Sequence, residues 1–165
     1  MKETDGMLPY EREHRERVRK LAPECTVLLR SNGDFPLTKP GQLALYGSGA
    51  RHTVKGGTGS GEVNSRFFVT VEQGLKDAGF TLTTGEWLDA YDRIRRSARS
   101  EWIKRVKAEA RAAKMNALFY GMGKVMPEPE YELSLQTEAG AAIYVLSRIS
   151  GEGNDRQAVK GDYLL

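Results

Sequence analysis

Apolar residues recur along this chain in two kinds of pattern. Over residues 85–112, Trp87, Leu88, Tyr91, Ile94, Ala98, Trp102, Val106 and Ala110 return at steps of three and four, with charged residues between them. That spacing predicts a long amphipathic helix whose aromatic side chains lie in the core. The other pattern is the short continuous run: QLALYG over residues 42–47 and AAIYVLS over residues 141–147. Their length and their β-branched and aromatic content predict buried strands, the first of them central. CTVLLR, residues 25–30, reads as a further strand. Two shorter helices complete the prediction. One is charged, residues 10–22, with Pro23 ending it; the other lies within RFFVTVEQGLKDAG, residues 66–79, with Gly79 as its stop.

Buried strands, a glycine-rich loop and helices in this succession predict an α/β fold: a layered sandwich with a mainly parallel sheet flanked by helices. In such folds ligands meet the loops that follow strand C-termini. Two loops hold that position, residues 47–61 after LALY and residues 150–156 after IYVLS. No internal repeat or extended low-complexity segment interrupts the pattern.

Composition narrows the class. The 165 residues are 39% hydrophobic and 28% charged, which suits one globular domain large enough to fold without disulfides or structural metal. No stretch approaches the roughly 20 apolar residues that span a bilayer. The lone Cys25 and the absence of an apolar leader in residues 1–21 predict a reducing, cytoplasmic setting. His14 and His52 lie far apart, so no metal is expected. The formal charge of +3 raises the question of nucleic acid, but the arginines and lysines of RERVRK and of residues 92–114 are interspersed with acids, as on a solvated helix face. Nucleic acid is therefore not an expected partner.

The first loop resembles phosphate-binding patterns without meeting them. It holds Gly47, Gly49, Gly56, Gly57, Gly59 and Gly61, yet Lys55 precedes its glycine pair, and GSGARH has His52 where a dinucleotide fingerprint needs a third glycine. Ser60 and Thr58 offer hydroxyl groups, and an ordinary flexible loop is the competing reading. In the second loop Gly151 and Gly153 flank Glu152, leaving its carboxylate on a bare backbone. Such a group suits general acid/base work that needs a mobile carboxyl. A solvated turn residue, with Asp155 and Arg156 as a surface pair, fits the same residues.

CTVLLRSNGDFPL, LALYGSGA, KGGTGSGEVN, SRISGEGNDR and KGDYLL, in this order, resemble the α/β-sandwich domain of family 3 glycoside hydrolases, chiefly the β-glucosidase branch. The resemblance implies a domain division of residues 1–24, a helical lead-in, and residues 25–165, a partial sandwich domain. It implies a retaining glycosidase acting on a β-glucoside or related oligosaccharide, with no cofactor. Glu152 becomes the acid/base and Ser60 a contact to the sugar being cleaved. The nucleophile aspartate of that family sits on a barrel domain, which nothing in this chain resembles, so the chain alone is expected to be inactive and the barrel to be its partner. Relatives continue beyond GDYLL, which implies a sandwich incomplete on its C-terminal side. Most members place a barrel ahead of the first sandwich motif, which here follows shortly after Met1, so the expectation is a reversed domain order, with an engineered N-terminus as the alternative. A truncated sheet edge would favour self-association. A non-catalytic carbohydrate- or protein-binding module is the alternative.

Overall fold

The computed structural model describes residues 6–56, 61, 63–65, 68–135, 138–150, 156–159 and 163–164. They divide into two compact units, Met1–Lys39 and Pro40–Leu165. In the first, helix α1 (Pro9–Leu21) starts with proline at its first position and carries Glu11 in its first turn and Arg19 and Lys20 in its last, which complements the helix dipole. The Glu11 carboxylate accepts a hydrogen bond from the Leu8 amide at 2.7 Å. A short 3-10 turn over Ala22–Cys25 follows, so Pro23 closes the helix as its position predicts.

The strand expected over residues 25–30 does not form. Val27, Leu28 and Leu29 are exposed, and residues 26–30 have no strand partner among the described residues. An apolar run takes up strand geometry only where a neighbouring strand accepts its amides and a layer covers its side chains.

The second unit is built on strand β1 (Gln42–Tyr46), flanked by β2 (Thr81–Leu82) on one edge and β3 (Ala142–Tyr144) on the other. All pairings are parallel. Leu43, Ala44 and Leu45 are fully buried and Tyr46 nearly so, the pattern of a central strand covered on both faces. The predicted α/β fold with a parallel sheet is therefore present. No helix among the described residues is long and apolar enough to cross a membrane.

The hydrogen bonds of β1 divide by parity. Its even residues face β3, where the Ala44 amide donates to Ala141 and the Val145 amide donates to Tyr46. Its odd residues face β2, where the Thr83 amide reaches Leu43. Beyond Thr83 the chain turns away into a helix, and the Thr84 side chain completes the ladder. Its buried hydroxyl accepts from the Leu45 amide at 2.8 Å and donates to the Leu45 carbonyl at 2.7 Å.

Helix α2 (Val71–Asp77) begins later than the apolar spacing suggests, because the Thr70 hydroxyl caps it by accepting from the Gln73 amide at 3.1 Å. It stops at Gly79 (φ +92°), where the Phe80 amide reaches Leu75 and the Gly79 amide reaches Lys76. Helix α3 (Gly85–Ala112) is the predicted long amphipathic helix. It ends in the same motif, with amides of Lys114 and Met115 donating to Arg111 and Ala110, but here a lysine takes the left-handed position (φ +52°). Helix α4 (Ala117–Gly121) packs back on α3, capped by the Asn116 carboxamide.

Leu88, Tyr91, Val106 and Ala110 of α3 are buried, and Trp87 stacks on Tyr91 with ring centroids 5.6 Å apart. Tyr46 and Tyr131 meet the Trp87 ring edge-on, so aromatic pairs weld the helix to the strand. Trp102 departs from the expectation of core placement. It is only half-buried.

Two substitutions test this framework by denaturant unfolding. Thr84→Val keeps the shape but strands the Leu45 amide and carbonyl, and is expected to cost about 1–3 kcal/mol. Lys114→Gly relieves the left-handed strain and is expected to stabilise by about 1 kcal/mol.

Candidate functional site

The chain leaves β1 for β2 on one side, then returns to β3 on the other. The two loops that follow β1 and β3 therefore diverge, and the crevice between them is where open parallel sheets bind ligands. Here a cleft of about 500 Å³ opens at that point. Ser48 and His52 from the first loop face Ser147, Arg148 and Ile149 from the second, with Arg95 of α3 and Glu128 in the wall.

Glycine makes the junction possible. Gly47 has φ +91°, and a Cβ there would lie 2.4 Å from the Val145 carbonyl oxygen. A Cβ on Gly49 would lie 2.5 Å from a Val145 methyl carbon. With neither present, the Gly49 amide donates to the Val145 carbonyl at 3.2 Å and the loops close on each other. A third close approach lies further along, where a Cβ on Gly56 would meet the Gly61 carbonyl oxygen at 2.4 Å.

Arg51 anchors the first loop to both neighbouring helices. Its guanidinium grips Glu72 of α2 through two bonds of 2.7 and 3.2 Å. It also reaches Asp89 at 2.6 Å and Asp92 at 3.0 Å on α3. Asp92 in turn holds the His52 imidazole at 2.9 Å, which fixes that ring in the cleft wall. Thr53 adds a neutral tie, donating to Gly49 and accepting from the Val71 amide at the start of α2.

Burial alone would raise the Glu72 and Asp92 carboxyls, but hydrogen bonds and charge from Arg51 outweigh it and hold both below the ordinary range; Lys76 assists at Glu72 and His52 at Asp92. The Arg51 guanidinium is held charged, chiefly by Glu72. Bound to one another by these ion pairs, the groups form a clamp that sets the loop's geometry. Sequence reading passed over it, although Asp89 and Asp92 at i, i+3 opposite an arginine carried the signal.

Glu128 was also missed. Its carboxylate accepts from the Tyr91 hydroxyl and lies 3.8 Å from Arg95. Burial first, and then this acceptor, push the Tyr91 phenol upward. The Tyr131 phenol is raised by burial and by its 2.7 Å bond to Tyr144. The phenols thus stay protonated as donors.

Ser60, Glu152 and Asp155 lie outside the described residues. What is described is the base of the loop that carries Glu152. Ser147, Arg148 and Ile149 line the cleft before it and Arg156 and Gln157 after it, and the Arg156 guanidinium donates to the Ile149 carbonyl at 2.7 Å, pinning the two sides together. No group of three or more His, Cys, Asp or Glu side chains suited to a metal ion occurs among the described residues.

The clamp predicts an acid limb in stability. Carboxyls depressed in the folded state stabilise it above their unfolded values, about 4, and that stability is lost as pH falls through the lower folded values. Arg51→Leu is expected to cost about 1–3 kcal/mol at neutral pH and to flatten that acid limb. Urea unfolding at pH 7 and at pH 3 checks both.

No protein-family profile matches this chain, and no curated protein sequence does. Solved structures do. β-Glucosidase 3B from Thermotoga neapolitana in complex with glycerol matches at 31% identity and a TM-score of 0.60, and its complex with α-D-glucose at 27% identity and 0.60. Each match covers 94% of this chain and 20% of that chain, so the present chain spans about a fifth of the length of those enzymes. The resemblance drawn from the sequence motifs is thus matched by fold over nearly the whole chain.

Proposed function

We propose that this chain, an α/β domain with the fold of a segment of family 3 β-glucosidases, forms one wall of a retaining glycosidase active site. The observation that carries the reading is the cleft at the switch point between β1 and β3, whose wall includes both ends of the loop bearing Glu152. The similarity to enzymes crystallised with glucose and glycerol supports a sugar as the ligand.

In this proposal Glu152 is the acid/base and Ser60 contacts the sugar undergoing cleavage. The Glu152 carboxyl gives its proton to the glycosidic oxygen as the bond from that oxygen to the anomeric carbon breaks. An aspartate on a barrel domain forms the new bond to that carbon. Glu152, now a carboxylate, then takes a proton from water as the water oxygen displaces the aspartate and releases the sugar. The two carboxyl groups stand about 5 Å apart in such a reaction. Asp155 cannot supply the second, since two side chains three residues apart on one loop do not flank opposite faces of a glycosidic bond.

The decisive experiment measures aryl β-glucoside hydrolysis by the chain alone and after mixing with a separately expressed family 3 barrel domain from the same source. Activity is expected only on mixing. Glu152→Ala should lower it about 10²- to 10⁴-fold on substrates with poor leaving groups and less on activated ones. Unchanged hydrolysis of poor-leaving-group glucosides by that variant overturns the assignment. Sugar binding with no hydrolysis on mixing favours a non-catalytic carbohydrate-binding module.

A further inference from the structure

A second arm of about 530 Å³ adjoins the cleft and shares His52, Val54, Arg95, Val125, Met126 and Ile149 with it. Arg95, Arg99 and Trp102 enter it from α3 at i, i+4 and i+7, one face of the helix. Lys55 and Phe68 come from the segment after β1, and Lys124 from the turn after α4. Four permanent cations thus converge on a concavity that also presents two aromatic rings. Among the described lining residues of this arm there is no carboxylate.

The cations are only partly answered by their surroundings. Lys55 donates to neutral acceptors, the Val63 carbonyl at 2.5 Å and the Ser65 hydroxyl at 2.8 Å, and lies 5.5 Å from the Phe68 ring centre. Arg95 lies 3.8 Å from the Glu128 carboxylate, and Lys124 lies 3.6 Å from Glu109 and 4.1 Å from the Tyr120 ring centre. Arg99 has no hydrogen-bond or ion-pair partner among the described residues. Charges of one sign gathered on a concave surface concentrate counter-charge. Guanidinium and ammonium groups answer it best with a carboxylate or phosphate. Half-buried Trp102 and exposed Phe68 add the apolar surface that small-molecule sites use to hold a ring. A solvated helix face offers no such convergence of three segments around aromatic side chains.

We propose that this arm is a subsite for an acidic saccharide, a sugar unit carrying a carboxylate or phosphate. The proposal rests on the carbohydrate reading above and deepens it: the neighbouring unit of the substrate would be anionic. Because residues 92–114 carry nine basic and three acidic side chains, a polyanion is the competing occupant that the test separates.

The test is an NMR titration of the full ¹⁵N-labelled chain with glucuronate, glucose 6-phosphate, glucose, inorganic phosphate and a short oligonucleotide. The two indole resonances separate the sites, since Trp87 lies in the core and Trp102 in the arm. The acidic sugars are expected to shift Trp102 but not Trp87 and to bind about tenfold tighter than glucose, with Arg99→Ala removing most of that difference. Glucose should bind the variant as it binds the parent chain. Equal affinity for glucose and glucuronate overturns the proposal while leaving the glycosidase reading intact. Inorganic phosphate or a short oligonucleotide binding as tightly as the acidic sugars overturns it in favour of a general anion site. A Trp102 resonance that no sugar moves also overturns it. Acidic sugars that bind at Trp102 while Glu152→Ala leaves hydrolysis unchanged would remove only the catalytic assignment.

Discussion

Everything in the second unit depends on satisfying the backbone of one buried strand. β1 is covered on both faces, so each of its amides and carbonyls needs a partner that is not water. β3 supplies partners on one edge over three residues. On the other edge β2 is too short, and the Thr84 hydroxyl takes over at Leu45. Because Thr84 also stands at the entrance to α3, the bonds that complete the sheet set the position of the long helix. That helix then brings Arg95, Arg99 and Trp102 to the cleft.

The same strand decides where chemistry can occur. Its neighbours lie on opposite sides, so its C-terminal loop and that of β3 part from each other and leave a crevice. The loops touch at the floor of the crevice through Gly47, Gly49 and Val145, where side chains would collide. Arg51 then fixes the departing loop by linking it to α2 and α3. Close approach at the base and ionic anchoring at the side thus fix the described start of the first loop against the end of β3.

The charge on that wall bears on the proposed reaction. Arg148 and Arg156 line the cleft on either side of the loop carrying Glu152. Cations near a carboxyl favour its ionised form, which suits the second step, when the glutamate acts as a base. The first step needs the proton in place, and the negative nucleophile contributed from the barrel side would supply the opposing influence.

The buried character of QLALY, the helical face of residues 85–112 and the glycine stop at Gly79 were all legible along the chain, because each depends on spacing or on a local backbone preference. The position of the two loops at the carboxyl ends of β1 and β3 was legible too, since each follows an apolar strand-like run. CTVLLR shows the limit: its apolar run has the composition of a strand, but only a hydrogen-bonding neighbour makes it one, and the described residues offer none. Likewise Arg51 and Glu72 are 21 residues apart, and Arg51 and Asp92 are 41. Trp102 shares its helical period with core residues yet opens into a cleft, because periodicity assigns a face and only packing decides whether that face is covered. Local chemistry alone determined the elements and the loop positions, whereas the clamp, the cationic arm and the closure of β1 by a threonine side chain arise from contacts between distant segments that only the tertiary structure brings together.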